Sequence, residues 1–260
     1  MTLEAHLRAA RDAGRKLLVP YVTGGLGKEW LDVVRACADA GADAIEVGIP
    51  FSDPVMDGVT IQEASQRALD LGATPMSVIG DAGRLDIDTP VAVMTYYNLV
   101  AHMGHERFAS ALAGAGIAGA ILPDLPLDEL QGGGWDVVAA AHGVETVLLA
   151  SPTTTDGRLA DICAAAHGFV YAVSLLGVTG ERFGLAETAA VMGRRLKAIT
   201  DKPVLLGVGI SNADQAVEAA GHADGVIVGS ALVRRLLQSG GPEEAHKFVS
   251  GLRTALDQSA

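Results

Sequence analysis

Short, almost wholly apolar runs alternate along the chain with longer stretches in which apolar residues recur at helical spacing. Eight runs qualify as strands: 17–22, 44–47, 91–95, 118–122, 146–150, 168–173, 204–207 and 225–228. They are apolar on both alternating faces, as expected of strands covered on both sides in a parallel sheet. Between them the periodicity predicts helices over 30–40, 60–71, 106–115, 156–166, 187–199, 212–220 and 231–237. The glycines Gly132, Gly133 and Gly134 delay the start of the fourth helix, and extra helices are expected at the ends, over 2–13 and 242–256. Eight strand–helix pairs in about 240 residues fit a closed barrel better than an open doubly wound sheet. The segment Thr23-Gly24-Gly25-Leu26-Gly27 after the first strand also lacks the glycine spacing of a dinucleotide fingerprint. The expected class is therefore α/β, a (β/α)8 TIM barrel with extra terminal helices, as a single domain over residues 1–260.

Composition narrows the partners. With 49% apolar and 19% charged residues the chain is globular rather than disordered. Its 19 Lys+Arg against 31 Asp+Glu give a net charge of −12, a field that repels nucleic acid and anionic membrane surfaces. Any phosphorylated ligand must then be held by local dipoles. Cys37 and Cys163 are too few and too separated for a disulfide framework or zinc site, and read as buried thiols. No apolar run reaches membrane-spanning length, and residues 1–15 carry charges throughout, so the cytoplasm is the expected compartment.

In a barrel of this kind the chemistry sits at the carboxyl ends of the strands. Glu46 lies inside the otherwise apolar second strand, where burial would raise its pKa and suit it to proton transfer near neutrality. Taken alone, it is equally a strand-end residue turned to solvent or to a structural lysine. The loop beyond carries Asp53 and Asp57, stiffened by Pro50 and Pro54 and closed by Gly58. With no His or Cys nearby, two carboxylates argue little for a metal; a carboxylate there can instead accept a substrate N–H and steady a developing positive charge. Glycines follow each of the last three strands, in Gly177-Val178-Thr179-Gly180, Gly207-Val208-Gly209 and Gly229-Ser230. Any one of these loops can merely turn the chain. Together they suggest a phosphate cradle of backbone N–H groups, completed by a helix start at Ser230.

The segment 46–62, Met94-Thr95-Tyr96-Tyr97-Asn98, Pro123-Asp124-Leu125-Pro126, Phe169-Val170-Tyr171 with Ser174 and 177–180, and Gly229-Ser230 together resemble the tryptophan synthase alpha chain family, in order and over nearly the whole length. The resemblance implies a (β/α)8 barrel that cleaves indole-3-glycerol phosphate to indole and glyceraldehyde 3-phosphate without a cofactor or metal. By position, Glu46 resembles the family's general acid/base and Asp57 the second acid, which accepts the indole N–H. Thr179 resembles the loop residue that closes the site and orients Asp57. Tyr171 matches an aromatic position near the acid, Tyr96 a wall of the indole pocket, and Gly180, Gly209, Gly229 and Ser230 the phosphate binders. The implied partner is a tryptophan synthase beta chain in an alpha2beta2 assembly.

Two departures bear on that partnership. Leu26-Gly27 stands where the family usually has an X-Pro pair, and Val59 where it usually has Pro after Asp57-Gly58. A stand-alone lyase releasing free indole is thus an alternative to the ordinary subunit, and a non-catalytic regulatory subunit a further one. Other residues read more plainly. His102 and His105 are expected to be solvated at the start of a helix, Tyr97 to pack facing away from Tyr96 in a strand, and Asp124 to hold neighbouring loops. Trp30 and Trp135 are expected as anchors at helix starts, and the run 151–155 as a loop ending in an N-cap.

Overall fold

Eight parallel strands close into a barrel in chain order in the computed structural model, which describes residues 1–131, 134–173, 185–238 and 240–259. The strands are β1 (Leu17–Thr23), β2 (Ile45–Gly48), β3 (Val91–Met94), β4 (Gly119–Ile121), β5 (Glu145–Ala150), β6 (Val170–Val173), β7 (Val204–Gly207) and β8 (Gly225–Val228). β8 pairs with β1 through Leu17↔Gly225 to Pro20↔Val228, which closes the ring. All eight expected strands are present. Their apolar continuity has a simple cause: in β1, Leu17 and Val19 face the barrel interior while Leu18 and Val22 join the outer core under the helices. Every residue of this strand is buried.

The helices are α1 (Leu3–Asp12), α2 (Trp30–Asp39), α3 (Val59–Asp70), α4 (Pro75–Ala82), α5 (Tyr97–Met103), α6 (His105–Gly114) and α7 (Leu127–Gln131). They continue with α8 (Trp135–Ala141), α9 (Asp156–Ala165), α10 (Leu185–Lys197), α11 (Ala213–Ala220), α12 (Ser230–Leu237) and α13 (Pro242–Gln258). Gly132 and Gly133 lie outside the described residues, and α8 starts at Trp135 as expected. Trp30 and Trp135 are both buried in the outer core, and Cys37 and Cys163 are buried free thiols.

Three helices were not anticipated. α4 has a capping box, Thr74 with Ser77, and Pro75 in its first turn, a signal that was present but attached to a short segment. α7 is a single short turn region. α5 corrects the reading of Tyr97: it is the first residue of a helix rather than a strand residue, and its N–H donates to Asp124 Oδ1 at 2.8 Å. Asp124 thus ties the β4 loop to the α5 start, the holding role expected of it. His102 is exposed, whereas His105 is half-buried, its Nε2 3.1 Å from the Tyr97 hydroxyl and its ring edge-on to Trp135. Thr155 does occupy the N-cap position of α9, though its side chain makes no capping bond.

The terminal helices stabilise the end of the barrel away from the strand carboxyl termini. Leu3 and Leu7 of α1 are fully buried in the inner core, and the Glu4 N–H donates to Glu145 at the start of β5. α13 is bound to β1 and β2 through buried Asp43. This carboxylate accepts from the Leu18 N–H at 2.8 Å, from Arg15 Nε at 2.6 Å and from Arg253 Nη1 at 3.1 Å. Arg253 also donates to the Lys16 carbonyl. Arg253→Met is expected to lower stability by roughly 2–3 kcal/mol in urea or thermal unfolding, below the full cost of an orphaned buried charge because Arg15 still holds Asp43.

Candidate active site

The candidate site residues lie at the carboxyl ends of β1, β2, β3, β6, β7 and β8. Glu46 points inward from β2, opposite Tyr21 of β1 in the strand register, and is 1% exposed. Neither carboxyl oxygen has a hydrogen-bond partner among the described residues. A charge left so would be costly, and the group's pKa is accordingly pushed up to about 8, first by burial and then by the nearby Asp57 charge. Near neutrality Glu46 therefore holds its proton yet can give it up.

Asp57 ends the β2–α3 loop, half-buried. Burial raises its pKa, against which the neighbouring Tyr96 hydroxyl acts. The loop is held on both sides of this residue: the Met56 N–H donates to the Tyr96 hydroxyl at 3.0 Å, and Gln62 Nε2 donates to the Asp57 carbonyl at 2.7 Å. Phe51 lies against the Tyr96 ring with centroids 5.0 Å apart. The Tyr96 hydroxyl is thus the post that fixes the Asp57 loop. Two carboxyl groups thus lie near enough for the Asp57 charge to act on Glu46, one fully buried and the other half-buried, so that their environments differ.

Tyr171 of β6 is buried, and burial together with the Glu46 charge holds its hydroxyl well above the usual tyrosine range. Its ring occupies the place a side chain at Gly207 would fill; a Cβ there would lie 2.3 Å from Tyr171 Cε2. Beside it, the β7 and β8 ends carry the glycines Gly209 and Gly229 and the start of α12 at Ser230. Gly209 has φ of +83°, a conformation that favours glycine. Gly229 is the N-cap of α12 without a side-chain cap, and its carbonyl receives the Leu232 and Val233 N–H groups. The amides of Ser230 and Ala231 precede those bonds, at the positive end of the helix dipole, where an anion is favoured. Thr179 and Gly180, with Ser174 and Gly177, lie outside the described residues.

One residue of this mouth was missed. Tyr21 continues the inward row of Leu17 and Val19, a period-two signal that was available in the sequence. The ring is buried over Gly48.

The tryptophan synthase alpha chain family model matches residues 7–257. The chain belongs to that family. It is 46% identical over 248 residues to the tryptophan synthase alpha chain of Streptomyces coelicolor, covering 92% of this chain and 88% of that one. It is 42% identical to the alpha chain of Thioalkalivibrio sulfidiphilus, covering 96% and 97%. Among solved structures, the alpha chain from Legionella pneumophila superposes with a TM-score of 0.88 at 33% identity, covering 99% and 98%. A tryptophan synthase structure from M. tuberculosis in its aminoacrylate- and BRD0059-bound form gives 0.88 at 35%, covering 98% and 97%. Family membership makes the chain a lyase of tryptophan biosynthesis, built on the barrel that its strand pattern implied.

Proposed function

We propose that this barrel mouth cleaves indole-3-glycerol phosphate into indole and glyceraldehyde 3-phosphate, as the alpha subunit of tryptophan synthase. The observation that carries the reading is the buried, unpartnered Glu46 facing Asp57. Glu46 gives its proton to indole C3, which becomes tetrahedral, and the positive charge on the ring nitrogen is steadied by Asp57, which accepts the indole N–H. The Glu46 carboxylate then takes the proton of the hydroxyl on the side-chain carbon bonded to C3. The C–C bond breaks, its electrons return to the ring, and the hydroxyl carbon becomes the aldehyde. Glu46 ends protonated, as it began.

The phosphate rests on the backbone at Gly209, Gly229 and Ser230, and by family resemblance on Gly180, with Thr179 orienting Asp57. Backbone donors and a helix start answer the difficulty posed by a net charge of −12. The site needs no cofactor. No described helix is long and apolar enough to cross a membrane, and the proposed compartment is the cytoplasm.

The beta chain docks on the same face. Val55 and Val59, each 80% exposed, and the partly exposed Met56 form an apolar edge beside Asp57, suited to burial against a partner. The stand-alone lyase is favoured by Leu26-Gly27 and Val59, which replace the family's usual prolines on that edge. Steady-state cleavage of indole-3-glycerol phosphate separates the two readings. A gain of about tenfold or more on adding a beta chain is expected for the subunit, a coupling of the ordinary allosteric size. High turnover that ignores the beta chain would establish the stand-alone enzyme instead.

A further inference from the structure

Two tyrosines are seated in this barrel by the same device. Tyr171 pairs in register with Leu205 and lies over Gly207, two residues further along β7. Tyr21 pairs with Glu46 and lies over Gly48, two residues further along β2. A Cβ on Gly48 would fall 1.9 Å from the Tyr21 hydroxyl oxygen, so that oxygen lies against the β2 backbone at the next inward position beyond Glu46, toward the mouth. A leucine or valine would have filled the interior there without a polar atom. Instead the glycine makes room for a hydroxyl on the strand that carries Glu46, a buried carboxyl group with neither oxygen partnered among the described residues.

The proposed reaction gives this placement a use. Glu46 passes through its ionised form between giving up its proton and regaining one, and a buried carboxylate without a donor is strongly disfavoured. The titratable groups facing the Tyr21 hydroxyl are Glu46 of β2, Asp57 of the following loop, Tyr96 after β3 and Tyr171 of β6, which faces Glu46 as well, and the Thr23 side chain of β1 also acts on that hydroxyl. Asp57 and Tyr96 are engaged with each other and with the loop backbone, and the Thr23 and Thr95 hydroxyls are also buried at these strand ends; Tyr21 is set apart by its register opposite Glu46 and by the hydroxyl seated against the β2 backbone at Gly48.

We infer that Tyr21 is a positioning residue for the proton-transfer step: its hydroxyl donates a hydrogen bond to the ionised Glu46 carboxylate and holds it toward the substrate side chain. The role rests on the acid/base reading of Glu46 but is measurable without turnover. The experiment is the titration of the Glu46 carboxyl carbon by NMR in substrate-free, 13C-glutamate-labelled protein, with Glu46→Gln assigning the signal, in wild type and in Tyr21→Phe. The phenylalanine keeps the ring over Gly48 and removes only the donor. Its Glu46 midpoint is expected about one pH unit higher than in wild type. The kcat for indole-3-glycerol phosphate should fall about tenfold with KM changed less than about twofold, the signature of an interaction made after binding. A purely space-filling Tyr21 would leave the midpoint and kcat where they are, and that result in a folded variant overturns the inference. Tyr21→Leu, which also lacks the hydroxyl, provides the same titration should the phenylalanine variant not fold. A raised midpoint in a protein that cleaves no indole-3-glycerol phosphate would sink the proposed reaction and leave the hydrogen bond established.

Discussion

Glu46→Gln is expected to reduce indole release by about 10³-fold or more, while the affinity for a phosphate-bearing substrate analogue changes little. Glutamine has nearly the same shape and can accept and donate hydrogen bonds, but it offers no proton to indole C3 and cannot take one from the side-chain hydroxyl. The proposed phosphate contacts at Gly209, Gly229 and Ser230 follow β7 and β8 and do not involve β2. Substantial residual turnover in the purified variant would remove Glu46 from the acid/base role. In the unsubstituted protein, the same group should make kcat fall as pH rises above about 8, because the form that protonates C3 is the one lost there.

The same substitution has a stability signature of known sign. Burial raises the Glu46 pKa from 4.5 to about 8 on folding. Its contribution to stability is then fully present below the unfolded value and is lost as pH climbs through that window. Glu46→Gln removes the loss, so the variant should be more stable than wild type at pH 9 by on the order of a few kcal/mol and close to it at pH 5. Denaturant unfolding at the two pH values reads this directly. An active site that is less stable than its inactive variant is a common result of holding a functional group in a strained environment.

The barrel was legible because each strand is covered on both faces, so that inner residues such as Val19 and Phe169 and outer residues such as Leu18 and Val170 are all apolar. That leaves no alternation to confuse with a surface strand. Glu46 stood out against the same background, as did the glycines of the proposed cradle. Short elements were harder to see. Tyr97 looks like a strand residue from its neighbours, and only the distant Asp124, which takes its N–H, shows that a helix begins there. Tyr21 was hidden for a different reason. A tyrosine in an apolar strand reads as packing until Gly48, on another strand, is seen to leave space for its hydroxyl. Pairings of this kind depend on register, which the order of residues in the chain does not state.

Asp57→Asn should lower turnover by about 10²-fold, less than the loss at Glu46. Asparagine can still accept the indole N–H through its amide oxygen, so substrate orientation survives, whereas the charge that steadies the cationic ring does not. The effect belongs in kcat rather than KM, since the cation exists only after C3 is protonated. The pH profile supplies an independent check. Asp57 is one of the two causes holding the Glu46 pKa up, and removing its charge should move the alkaline limb of kcat to lower pH. Removing the carboxylate should also abolish the acid limb, which reflects protonation of a group itself raised by burial. An Asp57→Asn enzyme with unchanged kcat and both limbs in place would show that this carboxylate only shapes the loop held by Tyr96 and Gln62. A reduced kcat with a flattened acid limb and an earlier alkaline one would place Asp57 in the transition state and in electrostatic contact with Glu46.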